Sequence, residues 1–251
     1  MATAADLEQK LHVSPSIHEG LIDHHAARQR GNDKPPEPDL EQVVLSGAMK
    51  LAREEANALV ALAEAVYGDA SQTPEQAAIQ LAAAAQRTGE RVAARLVAAN
   101  EKADATIASL EKATFAPPPD ADIGEKFDKE VRQALKSMTP DQRREELAEA
   151  FEAGDTATIG AVLRAPRMLT GMTSTELASL RHRFQTKHFP AEMARLERLK
   201  KMRAASETGG GAFVELVKKV GKGRFGKFVD NAITARSKRE SALAAHQQQE
   251  A

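Results

Sequence analysis

The sequence predicts an all-α protein, and three observations carry that expectation. Alanine occupies 48 of the 251 positions, while aromatic residues make up 4% and cysteine and tryptophan are absent. Apolar residues recur at three- and four-residue intervals over long stretches, the period of one helical face. Helix-starting Thr-Pro and Ser/Thr-x-x-Glu/Gln signals punctuate the chain. The β-branched and aromatic side chains that fill pleated sheets are scarce, which excludes a sandwich or barrel. Without cysteine there is no disulfide scaffold, thiolate metal site or thiol nucleophile. The expected architecture is a long helical hairpin plus a small helical bundle, with an extended N-terminal arm and a basic C-terminal tail.

Residues 1–38 read as the arm. It holds four of the seven histidines (His12, His18, His24, His25) and ends in Pro35, Pro36 and Pro38. Ser16-Ile17-His18-Glu19 has capping-box form and predicts a short helix from about Ile17 to Arg30, stopped at Gly31. Residues 39–116 read as the hairpin. Val44, Ala48, Leu51, Glu55, Leu59, Leu62 and Val66 form one stripe with an acidic break at Glu55, and Gly68 takes the position just past a helix end. Thr73-Pro74-Glu75-Gln76 restarts a helix with Thr as cap, Pro first and Gln third. That second helix runs to about Thr114, some ~60 Å at 1.5 Å per residue. Such length and a narrow, alanine-rich stripe suit pairing with another helix, in the hairpin or between copies. Leu51, Leu59, Leu62, Ile79, Leu96, Ile107 and Leu110 are the candidate oligomer stripe.

Phe115 and Pro117–Pro119 close the rod, and residues 120–206 read as a small bundle of short, capped helices. Phe127, Val131 and Leu135 share one face; Thr139-Pro140-Asp141-Gln142 opens the next helix, which stops at Gly154. Asp155 caps a third, limited by Pro166, and Thr173-Ser174-Thr175-Glu176 caps a fourth. Pro190 starts a fifth. Gly209-Gly210-Gly211 reads as a flexible hinge, and residues 212–251 as a basic amphipathic tail.

The net charge of −1 hides an asymmetry: residues 195–240 balance to +8, and residues 1–194 to −8. Such polarity points to an acidic partner for the basic end. Phe213, Lys218, Lys219, Lys222, Arg224, Phe225, Lys227 and Phe228 are the candidate contacts. Their cations suit phosphates and their rings suit unpaired bases, while the same alternation suits a membrane surface or docking on an acidic protein face. Gly221, Gly223 and Gly226 do not make a phosphate loop, because no strand precedes them and no Gly-Lys-Ser/Thr closes the pattern. His24 and His25 point about 100° apart on a helix and do not converge on one ion. Neither Gly-x-Ser-x-Gly nor the Glu-x-x-His of di-iron bundles occurs. No catalytic, cofactor-binding or metal-ligating residue is assigned, and no small-molecule substrate is expected. The N-terminus lacks the pattern of a secretory signal, and no run of about 18 apolar residues would span a bilayer.

Residues 154–202 carry a resemblance. Gly154-Asp155-Thr156, the Ala165-Pro166-Arg167-Met168-Leu169-Thr170-Gly171-Met172-Thr173 turn, Arg181-His182-Arg183-Phe184 and Lys187-His188 resemble a stretch of small uncharacterised proteins encoded among the head and tail genes of tailed bacteriophages. The resemblance covers about a fifth of the chain and transfers no catalytic residue. It implies a non-enzymatic structural or assembly component of a virion, made in the host cytoplasm. Such a component acts by helix-mediated oligomerisation and packing against other virion proteins. The alternatives are a nucleic-acid-binding protein, a membrane-active DNA-ejection protein, and a scaffolding protein absent from mature particles.

Overall fold

A computed structural model describes residues 11–27, 38–115 and 124–222, together with positions 231, 234, 235, 237–239, 241 and 242. Every regular element among them is helical, so the chain is all-α. In order these are α1 (Gly20–Asp23), α2 (Leu40–Gly68), α3 (Pro74–Ala113), α4 (Gly124–Ser137), α5 (Pro140–Ala153), α6 (Thr156–Leu163), α7 (Arg167–Thr170), α8 (Ser174–His188) and α9 (Pro190–Lys222). They form two compact units: residues 1–106 with 198–251, and residues 107–197.

In the first unit α2 and α3 pair antiparallel. Glu55 accepts a charged hydrogen bond from Arg91, and Glu41, fourteen residues earlier on α2, accepts one of 2.9 Å from Thr106, fifteen residues later on α3. The turn between them is built locally. Asp69 accepts from the Ser71 amide at 2.9 Å, and Thr73 and Gln76 exchange the two bonds of a capping box, each 3.3 Å. Ala48, Ala52, Ala56 and Ala63 are all fully buried on α2, and such small side chains let helix backbones approach closely.

α9 supplies a third helix. Arg203 reaches Asp104 of α3 at 3.0 Å, and Arg198 reaches Asp39 before α2 at 3.2 Å. It therefore runs antiparallel to α3 and alongside α2, and Leu199, Met202, Phe213 and Leu216 enter the core.

Here the structure departs from the expected hinge. Gly209-Gly210-Gly211 lies inside α9, which continues unbroken from Pro190 to Lys222. Each glycine costs a helix about 1 kcal/mol relative to alanine. Packing overrides that preference, because Gly209 leaves room for Met49 and for the Ser16 carbonyl. Residues 212–222 are accordingly the last three turns of a core helix rather than the start of a tail.

The arm segment 11–27 is mostly irregular, and α1 is a single turn where a longer helix was expected. The Ser16–Glu19 capping box does not form. The Glu19 carboxylate instead accepts two hydrogen bonds of 2.8 Å from Arg53 on α2, while the Ser16 amide donates to Ser14. A bidentate guanidinium pair outcompetes a local backbone bond for the same oxygens. Ile17 and Ile22 are each only 1% exposed, so this segment is part of the core. Residues 28–37, with the expected helix end and linker, lie outside the described residues.

In the second unit α4–α8 surround Leu135, Leu147, Ile159, Leu163, Leu180 and Phe184. The capping boxes at Thr139/Gln142 and Thr173/Glu176 both form, and Asp155 accepts from the Thr158 amide at 3.0 Å. Gly154 and Gly171 take left-handed φ values of 73° and 67°, which glycine adopts without steric cost. Two arginines tie the helices together. Buried Arg143 donates to the carbonyls of Leu135, Met138 and Gly171. Arg164 holds Asp128 at 2.7 and 3.0 Å, and Arg132 adds a third contact at 3.5 Å. The end of α3 joins this unit too, where Gln185 donates to Thr114 at 3.2 Å and Arg181 stacks over Phe115.

Candidate interaction surfaces

The C-terminal turns of α9 show how one helix divides its labour. Phe213, Leu216 and Val220, spaced by three and four, are 1–5% exposed. Lys218, Lys219 and Lys222 face outward. Phe213 is thus corrected from a contact residue to a core residue: a ring sealed between helices cannot stack on a base or enter a bilayer. Lys218 donates to Glu215 at 2.8 Å, and that bond holds the Glu215 carboxyl below its ordinary range. Arg224, Phe225, Lys227 and Phe228 lie outside the described residues.

The proposed oligomer stripe is also divided. Leu59 and Leu96, at 3% and 6% exposed, are spent inside the three-helix core and are not available to a second copy. Leu51, Leu62 and Ile79 are half-buried at the margins of that core. Ile107 and Leu110 are half-buried in the part of α3 that belongs to the second unit.

α2 also carries a second apolar face, which its main helical stripe does not reveal. Leu40 and Val43 are 59% and 55% exposed, and Gly47, Leu51, Ala58 and Leu62 continue the same line at helical spacing, interrupted by the acids Glu54 and Glu55. The signal was present in the width of the apolar arc, since Val43 and Val44 are adjacent and cannot both face one core. Beside this face, α3 presents Arg87, Arg91 and Arg95 at four-residue spacing, all exposed. Between α2 and α3 lies a groove of about 300 Å³, floored by Ala58, Leu59, Leu62 and Ala84 and rimmed by Glu55, Arg87, Thr88 and Arg91.

The second unit carries one apolar protrusion. Met168 and Leu169 on α7 are 78% and 45% exposed, on a turn whose end is held by Arg143 through the Gly171 carbonyl.

Among the described residues no group of three or more His, Asp and Glu is placed to hold a metal ion. His18 Nδ1 accepts the Gly20 amide at 2.9 Å, a local turn contact. No described helix is long and apolar enough to cross a membrane. Comparison with protein-family models, characterised proteins and solved structures yields no match.

Proposed function

We propose that this chain is a non-enzymatic structural or assembly component that works by helix packing against copies of itself and against other subunits. The virion of a tailed bacteriophage is the setting implied by the resemblance of residues 154–202. The observation that carries the assembly reading is the second apolar face of α2. Leu40 and Val43 stand exposed beside half-buried Leu51, and a packed partner would cover that apolar patch.

Sedimentation velocity of the full chain tests this reading, with a species heavier than the 27.0 kDa monomer as the expected result. Leu40→Asp with Val43→Asp returns it to monomer. A strict monomer at every concentration, with candidate partner subunits present, overturns the reading. Mass spectrometry of purified particles tests the virion setting, and absence of the chain from them removes it.

A second reading rests on the outward lysines of α9. Lys219 and Lys222, followed in sequence by Arg224 and Lys227, suit an anionic polymer such as nucleic acid. It requires binding that weakens steeply with salt and is lost when these lysines become glutamine.

A further inference from the structure

We propose that the N-terminal segment 11–27 is an exchangeable arm: in the assembled protein it docks on α2 and α9 of a second copy, through the same contacts that it makes on its own chain. The inference rests on the assembly reading and names the segment that joins the copies.

The segment takes its shape from itself. The amides of Ile17, Ile22 and His24 donate to the carbonyls of Ser14, Glu19 and Gly20, each at 2.9 Å. Its hold on the body comes through side chains. Arg53 donates twice to Glu19 at 2.8 Å, while Ser46 and Gln42 donate to Asp23 at 3.2 and 3.3 Å. Ile17 and Ile22 are sealed against the core, and the Ser16 carbonyl lies over the bare backbone of Gly209. A module that carries its own turn and docks by such contacts meets the same partners on any copy of the body.

The connection is longer than docking in place requires. Asp23 touches Ser46, which lies seven residues, or about 10 Å of helix, beyond Asp39. Residues 24–38 join those two points, and fifteen residues of chain span at most about 50 Å. That reach is about twice the width of two packed helices, enough to pass from one body to its neighbour.

Concentration decides between the two arrangements, because the contacts are the same in both. A short tether holds the arm near its own site at an effective concentration in the millimolar range, so an isolated chain keeps its own arm. Copies packed side by side present a neighbour's site at a comparable concentration. Exchange then ties them together without calling on any new surface.

The chain has no cysteine of its own, so a cross-linking pair reports one contact alone. One tagged full-length chain carries Asp23→Cys and a second, differently tagged, carries Ser46→Cys, positions whose side chains lie 3.2 Å apart when the arm is docked. The two are co-expressed and treated with a short bis-maleimide. The expected product is a covalent species of twice 27.0 kDa that bears both tags. It is expected at least tenfold above the yield with Glu64→Cys in place of Ser46→Cys, an exposed position further along α2. Incubation with an excess of a synthetic peptide of residues 11–27 before cross-linking lowers the yield, and the same peptide with Ile17→Asp and Ile22→Asp does not. The proposal is overturned if the mixed product is no more abundant than with the Glu64 control, or if the parent peptide leaves it unchanged. Sedimentation of the unlinked chain separates the two claims. Association without the mixed product removes the exchange alone, whereas a strict monomer removes the assembly reading and the exchange with it.

Discussion

Met49 packs against the bare backbone of Gly209: a Cβ built on that glycine would lie 2.6 Å from Met49 Cε and 2.6 Å from the Ser16 carbonyl oxygen. The methionine tip can move, but the carbonyl belongs to the backbone of the docked N-terminal segment and cannot. Gly209→Ala is therefore expected to destabilise by about 1–3 kcal/mol, the usual penalty of overpacking. Gly211, with nothing within 4 Å of its missing Cβ, behaves oppositely. Gly211→Ala is expected to stabilise by about 1 kcal/mol through helix propensity alone. Urea unfolding followed by circular dichroism distinguishes the two. Equal behaviour would mean that the glycines act as a hinge rather than as packing sites.

The Glu19–Arg53 pair fastens the same segment to α2, and its pH dependence has a definite sign. The hydrogen bond from Arg53 pulls the Glu19 carboxyl down from 4.5 to about 2, against the opposing effect of burial. A group whose pKa is depressed on folding contributes stability above its unfolded value and loses it as pH falls through the folded one. The segment is thus held firmly above about pH 4.5 and loosens progressively between 4.5 and 2. Hydrogen-exchange protection factors at Ile17 and Ile22 should fall across that window, and Glu19→Gln should flatten the fall. An unchanged profile in the variant would assign the loosening elsewhere.

Arg143 holds three backbone carbonyls from two directions. Leu135 and Met138 close α4, and Gly171 ends the α7 turn. Arg143→Ala leaves buried acceptors unpaired and should cost about 3 kcal/mol. Arg143→Lys keeps the charge but loses the planar fork, so it recovers only part of that loss. Thermal unfolding of the two variants measures the difference, and full rescue by lysine would show that charge rather than geometry matters.

Phe213 and Lys219 sit six residues apart on α9 with opposite fates. Phe213→Ala removes a fully buried ring and should cost about 3–5 kcal/mol. Lys219→Ala, on the exposed face, should change stability by no more than about 0.5 kcal/mol. A Phe213 variant as stable as the parent would restore the residue to a mobile tail.

Helix boundaries were legible wherever their physics is local. Thr73, Thr139 and Thr173 cap their helices through a partner three residues away, and Asp155 does the same through the Thr158 amide. Those contacts need no knowledge of the rest of the fold. The Ser16–Glu19 motif has the same form and failed, because its carboxylate met Arg53 thirty-four residues on. The candidate surfaces were harder to read. An outward stripe is identified by what remains after the core is filled, and the partition of Leu59 and Leu96 from Leu40 and Val43 depends on where α9 lies.

The sequence by itself determined that this chain is helical, where most helices begin and end, and that its charge is divided between an acidic body and a basic end. Only the tertiary structure decided that the triple glycine is a contact and that Phe213 is core. Capping and periodicity act within a turn or two of helix. A glycine's preference to break a helix is overridden when its missing side chain is the space that two other segments, α2 and the residues around Ser16, are placed to use.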